Sequence, residues 1–214
     1  MPRPEISFGR NPEEERRVRE IYVKEGMPEV HERARMSEAV AAKFLKEAFP
    51  DLFADVEVGS DKDDRHGIDL IFTLTDGSKM VADWTIASHP EVLSEKAAWR
   101  LKSPTAHVLY DERGKAFYQG EMPHLLLSGL NGFPTEKWDE INRRFWEKDA
   151  RKQATKCVPN PEEFKGFLLG QIIGGLRHIA WIYALPKQAE THSLFKKYLK
   201  VFENYAAKEK ASEA

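Results

Sequence analysis

Residues 67–88 constrain this chain more than any other stretch. They read Gly-Ile-Asp-Leu-Ile-Phe-Thr-Leu, a turn at Asp76-Gly77, then Lys-Met-Val-Ala-Asp-Trp-Thr-Ile-Ala-Ser. An Asp-Gly turn between two apolar runs is a strong hairpin signal, so the strands are expected to be antiparallel neighbours. The period of two puts Ile68, Leu70, Phe72 and Leu74 on one face, with Asp69, Ile71 and Thr73 on the other. In the second strand Met80, Ala82, Trp84 and Ile86 oppose Val81, Asp83 and Thr85. A carboxylate inside an apolar strand is costly to bury without compensation, and a cation is the usual compensation. If the two minor faces coincide, Asp69, Asp83 and Thr85 converge at one edge of the sheet. Hard oxygen ligands of this kind suit Mg²⁺ or Mn²⁺ rather than zinc. The simpler alternative is that each acid lies on the solvent face of a half-exposed sheet.

The order of elements around the hairpin resembles the PD-(D/E)xK nuclease superfamily, which is built as a helix, a three-strand meander, a second helix and a further strand. Here these are a helix over about 34–49, strands over 55–58, 67–74 and 79–87, a helix over about 90–102 and a strand over 106–110. The resemblance covers about residues 36–111, roughly half of the chain, and implies an α/β fold. That fold is a restriction-endonuclease-like core, a central mixed sheet of about four to five strands flanked by helices, with added N- and C-terminal helices. The resemblance also implies roles. Asp69 matches the first metal-binding aspartate, Asp83 the acid of the (D/E)xK element, and Glu38 the helix glutamate that completes the metal shell. The chain departs from the family at Thr85, which stands where the motif lysine is kept. A hydroxyl cannot supply the positive charge that offsets a phosphate. Some members move the lysine to the following helix, and Lys96 or Arg100 is placed to serve, with Lys79 a weaker candidate.

Composition bounds the rest. The 214 residues suit one domain of moderate size, and the 41% hydrophobic fraction supports a substantial core. The net charge of −2 provides no global field for nucleic acid, so any contact must come from a local patch. Residues 142–156 are the best such patch. Arg143, Arg144, Lys148, Arg151, Lys152 and Lys156 face only Glu147 and Asp149, with Phe145 and Trp146 interleaved. Basic groups there would meet phosphates and the aromatics would stack on bases. The alternative is a solvated helix face with its aromatics in the core. Lys196, Lys197 and Lys200 form a smaller basic cluster. The single cysteine, Cys157, excludes an internal disulfide and fits a reducing cytoplasm. No run reaches the ~20 apolar residues of a membrane span, so no membrane association is expected.

Three regions are expected: an N-terminal helical arm (1–33), the nuclease-like core (34–120) and a C-terminal helical region packing on it (121–214). The arm carries a charged helix over 11–26, and a further helix starts at Pro28 or Glu29. The acid-rich tract 61–66 reads as a solvated turn, although Asp64 or His66 could reach the site. A short aromatic strand is expected at 116–119, a helix from Pro134, and long helices over about 161–184 and 189–208, the tail after Ala206 fraying. Gly166, Gly170 and Gly174 recur every fourth residue in the first long helix. Each costs about 1 kcal/mol relative to Ala, so the row predicts close approach of another backbone, within the chain or across a homodimer.

The function these readings favour is a divalent-metal-dependent nuclease acting on DNA or RNA, with Asp69, Asp83, Thr85 and Lys96 catalytic and Glu38, Asp69 and Asp83 on the metal. The alternatives are a nuclease-like fold without catalysis, serving as a nucleic-acid- or protein-binding module, and an unrelated α+β oligomeric interaction protein.

Overall fold

A computed structural model describes residues 27–86, 90–129, 135–146, 153–185 and 188–212. The charged helix expected over 11–26 and the side chains Lys148, Arg151 and Lys152 lie outside the described residues. The described elements are helix α1 (Met27–Ala48), strand β1 (Phe53–Val58), a one-turn helix α2 (Asp61–Asp64), strands β2 (Leu70–Leu74) and β3 (Lys79–Thr85), and helix α3 (Pro90–Lys102). Strands β4 (Thr105–Tyr110) and β5 (Ala116–Ser128) follow. Then come helix α4 (Thr135–Trp146), a 3-10 turn (Ala154–Lys156), and the long helices α5 (Pro161–Ile182) and α6 (Ala189–Ser212). The chain is an α/β protein with one five-stranded mixed sheet in the order β1-β2-β3-β5-β4.

The hairpin forms as its turn chemistry requires. Asp76 Oδ1 accepts from the Ser78 amide at 2.9 Å and its hydroxyl at 2.6 Å. Gly77 takes φ +81°, a left-handed conformation that glycine adopts without a Cβ clash. The register is antiparallel, with Leu70 opposite Ala82 and Phe72 opposite Met80. Leu70, Phe72, Leu74, Met80, Ala82, Trp84 and Ile86 enter the main core beneath α1, α4, α5 and α6. Ile71 and Val81 enter a smaller apolar cluster on the opposite face, with Ala106, Leu109 and Met122. Both faces are therefore covered, and the acids between them are not on a solvent face. Ile68 falls in the smaller cluster, against the expected alternation. The regular strand starts only at Leu70, because Gly67 has φ +67° and the Ile68 amide turns back to Asp63 O at 3.1 Å.

Three further expectations are corrected. The tract 61–66 is not a solvated turn: Ser60 and Asp63 form a capping box, and Asp63 is fully buried. Its carboxylate accepts from the Ser60 amide and hydroxyl and, at 3.1 Å, from the Tyr110 amide, so burial leaves it satisfied. The aromatic strand at 116–119 continues for 13 residues and crosses position 120, where the core was expected to end. Its first half pairs antiparallel with β4 as far as Thr105–Pro123, and its second half pairs parallel with β3 from Val81–His124. Pro123 sits at the handover between the two partners, which is where a strand tolerates the loss of an amide donor. The glycine row meets no backbone among the described residues. Gly166, Gly170 and Gly174 are exposed, with nothing within 4 Å of an added Cβ.

α5 buries Phe164, Leu168, Ile172, Leu176 and Ile179 on its other face, a helical spacing that packs it on α6 and the sheet. α6 keeps its helix to Ser212, past the expected fraying point. No helix among the described residues is long and apolar enough to cross a membrane.

Candidate functional site

The end of the sheet where β2 begins and β3 finishes gathers the acids singled out from the sequence. Asp69 is 8% exposed, Asp83 4% and Thr85 5%. Asp69 is held at the lip of the ladder, where its amide donates to Ala82 O at 2.9 Å and its Oδ2 accepts from the Trp84 amide at 2.7 Å. Glu38 comes in from α1, which is fixed against β3 one residue earlier. Trp84 Nε1 donates to Ser37 Oγ at 3.1 Å, and Ser37 donates onward to Ala34 O.

α3 supplies the cations. Residues 92, 96 and 100 share one helix face, since residues four apart are surface neighbours. Val92 is buried there, and Lys96 and Arg100 reach Asp83. Lys96 Nζ donates to Asp83 Oδ1 at 2.6 Å, and Arg100 Nη2 approaches Oδ2 at 3.5 Å. Lys96 and Arg100 therefore both converge on Asp83. Lys79 does not; its ammonium donates to Thr73 Oγ1 at 2.7 Å.

Arg100 leads to a residue that the sequence did not single out. Its Nη1 hydrogen-bonds His124 Nδ1, its Nη2 donates to Gly67 O at 3.3 Å, and His124 Nε2 donates to the same carbonyl at 2.9 Å. Gly67 must be glycine here, because its φ is positive and an added Cβ would stand 3.0 Å from the Trp99 ring. Burial, reinforced by the adjacent guanidinium, pushes His124 down to about 3, so the imidazole is neutral and accepts through Nδ1. The only sequence cue to His124 was its alternation with Met122 and Leu126 in a strand hidden behind Pro123.

The electrostatics show too little positive charge for the acids present. Burial, with repulsion from Asp64, raises Glu38 from 4.5 to about 7, although Arg35 and Lys96 offset part of this. Burial followed by repulsion from Asp83 raises Asp69 well above the carboxylate range. Burial alone would raise Asp83 as well, but Lys96 and Arg100 outweigh it and hold that carboxyl below its ordinary value. Desolvation brings Arg100 down to about 10, still charged at neutral pH. The site thus sets one acid held toward its ionised form by two cations against two pushed toward their protonated forms by burial and neighbouring carboxylates.

As a donor set, Glu38, Asp69 and Asp83 suit a hard divalent cation. Their arrangement does not yet form a cage. Asp83 is engaged by Lys96, and among the described residues no three His, Cys, Asp or Glu side chains are grouped so as to hold an ion.

The expected nucleic-acid patch is described only in part. Arg143 and Arg144 are exposed, and Arg144 Nη2 pairs with Glu140 at 2.5 Å. Phe145 is buried in the core, so it does not stack on a base. Among the described residues, cavities of two sizes lie beside residues of the smaller apolar cluster, Ile71 at one and Ile68 and Ala106 at the other. The larger, about 620 Å³, is lined by Glu57, Asp61, Asp111 and Glu112 and so repels phosphate. The smaller, about 280 Å³, lies on the far side of Arg100 and is lined by Trp99, Tyr110 and His124. Comparison with known proteins found no matching family model, no matching curated protein and no matching solved structure.

Proposed function

We propose that this protein is a divalent-metal-dependent phosphodiesterase acting on nucleic acid, with the site at Glu38, Asp69, Asp83 and Lys96. The observation that carries the reading is the 2.6 Å contact between Lys96 and Asp83. The motif position is filled by Thr85, yet a helix lysine brings its ammonium to the acid where the strand lysine would bring its own. Lys96 is 21% exposed at its side chain, so it can leave Asp83 for a phosphate oxygen without crossing the core. Arg100, fixed by Gly67 and His124, keeps Asp83 ionised when Lys96 departs. Glu38 and Asp69 release their protons as a cation enters, which makes metal binding pH-dependent. A divalent ion supplies Lewis-acid stabilisation and a more acidic water. Thr85 lines the same edge with a hydroxyl able to orient water or phosphate.

A second reading is favoured by the absence of a three-acid group among the described residues and by the engagement of Asp69 with the Trp84 amide. Under it the acids serve the fold, and the core binds nucleic acid or protein without cleaving it. Calorimetry with Mn²⁺ and Mg²⁺ on the parent and on Asp69→Asn, whose amide oxygen can still accept from the Trp84 amide, with cleavage of plasmid and single-stranded DNA and RNA on the same samples, decides between the two. Binding and cleavage that both disappear in the variant support the nuclease. Binding with no cleavage of any substrate, or no binding, refutes it.

A further inference from the structure

The smaller cavity, about 280 Å³, is lined by His66, Trp99, Arg100, Thr105, His107 and Tyr110 among others. That volume is at the low end for small-molecule sites, so it holds one ring system and its immediate substituents. Trp99, Tyr110 and the imidazoles of His66, His107 and His124 form part of its wall. His66 stacks near-parallel on Tyr110, with centroids 6.1 Å apart and planes at 22°. The Arg100 guanidinium lies over Trp99 with its central carbon 4.3 Å from the ring centroid. Arg100 is 3% exposed, and its Nε finds no acceptor among the described residues, although both Nη groups are engaged. A buried donor left without an acceptor is costly, and a shift of the Arg100 side chain toward the cavity it lines would let a ligand acceptor satisfy it. The same guanidinium touches Asp83 at 3.5 Å. The cavity and the acid site therefore share one residue and lie within a nucleotide's reach of each other.

We infer that this cavity is a nucleobase subsite, receiving one unpaired base of a single-stranded nucleic acid beside the phosphodiester engaged at Asp69 and Asp83. The inference rests on the phosphodiesterase reading for the identity of its ligand. A planar ring with carbonyl or ring-nitrogen acceptors meets both demands of the cavity. It would lie against the lining at Trp99 and His66, and its edge would accept from Arg100 Nε once that side chain shifts toward it. Thr105 and His107 at the rim supply further polar contacts, with Thr105 Oγ1 and His107 Nε2 3.4 Å apart. A base inside a duplex cannot enter without being unstacked and extruded, so single strands are preferred.

The test measures binding in chelator, where cleavage cannot intervene. A short single-stranded oligothymidylate is compared with the same backbone made abasic, and with oligothymidylate annealed to its complement. Stacking of one base on an aromatic side chain is worth about a tenfold gain in affinity. The thymidylate is expected to bind about tenfold more tightly than the abasic strand and the duplex, and Trp99→Leu is expected to remove that margin without weakening abasic binding. Trp99 also packs on Arg100 and His124, so His66→Ala, at an exposed position, provides a second variant with the same expected direction. Equal affinity for thymidylate and abasic strands, or a margin that survives both substitutions, overturns the inference. If Mn²⁺-dependent cleavage is nevertheless found, the base subsite alone fails. If base-dependent binding is found without any cleavage, the subsite stands and the nuclease reading fails.

Discussion

Replacing Glu38 by glutamine should make the metal-free protein more stable at pH 8. In the folded state burial and Asp64 raise the Glu38 carboxyl from 4.5 to about 7. A folded acid with a raised pKa binds more protons than its unfolded counterpart between those two values, so stability falls as pH rises through that window and stays reduced above it. At 1.36 kcal/mol per pH unit, the interval corresponds to about 3 kcal/mol. Solvent reaches this half-buried side chain, and screening brings the expected effect to about 1–2 kcal/mol. Glutamine keeps the shape and removes the charge. In urea, with a slope of about 3 kcal/mol per molar for a chain of this size, the midpoint at pH 8 should rise by about 0.5 M. At pH 4.5 the two proteins should coincide, because folded Glu38 is then protonated. The parent should lose stability between pH 4.5 and 7 more steeply than the variant, all in chelator. A variant less stable than the parent at pH 8, or a gain of equal size at both pH values, would refute the electrostatic argument. Adding Mn²⁺ should reverse the ranking under the proposed function, since the charge that destabilises the empty site is the one a cation uses.

Asp83→Asn should destabilise the fold by about 3–5 kcal/mol in thermal or urea unfolding, because Arg100 is left buried without an anion; a loss below 1 kcal/mol would show that Gly67 and His124 suffice to hold the guanidinium. In the parent, the depressed Asp83 carboxyl gives stability that is complete above the ordinary aspartate value of 3.8 and is lost as pH falls through its lower folded value, so Asp83→Asn should flatten the acid limb of a pH-dependent melt. Lys96→Met should lower cleavage by about 10²–10³-fold while tightening Mn²⁺ binding in calorimetry, since a competing ammonium is gone; unchanged affinity would place Lys96 outside the cation's path. Far from the site, the Glu47 carboxylate accepts from the Ala154 and Thr155 amides, each at 3.0 Å, and from the Thr155 hydroxyl at 3.1 Å. Glu47→Ala should cost about 1–2 kcal/mol of thermal stability without altering metal binding, and an effect under 0.5 would mean that water replaces the carboxylate fully.

The hairpin was legible because two local signals agreed: the Asp76-Gly77 turn and the alternation through Phe72 and Met80. Lys96 and Arg100 were named through the resemblance, which implies a lysine moved to the following helix; that both reach Asp83 from one helix face emerged only in the fold. The parts that were not legible depend on contacts between distant segments. β5 reads as broken by Gly120 and Pro123, and only its change of partner from β4 to β3 makes that break tolerable. Asp63 sits in a run of charges and looks solvated, yet the Tyr110 amide, 47 residues away, is one of its donors. His124 carries no local mark of function, since its partners Gly67 and Arg100 come from elsewhere in the chain. The glycine row misled because a pattern on one helix does not say which face the core takes; here Phe164, Leu168 and Ile172 bury the other side.

Under the proposed function, the position of the lysine follows from how the sheet is covered. Thr85 is 5% exposed, stands opposite Ser128 on β5, itself 7% exposed, and its carbonyl accepts from the Gly129 amide at 2.9 Å. A lysine at 85 would have to thread four methylenes and an ammonium through this covered end of the sheet, where the charged head would lose its hydration. From α3 the same ammonium descends along the helix flank and keeps one-fifth of its side chain in solvent. The helix position therefore delivers the charge to Asp83 at a lower desolvation cost than the strand position could. Under the proposed function, a small hydroxyl at 85 and a lysine at 96 are then two consequences of one constraint, the burial of the sheet end at Thr85 and Ser128.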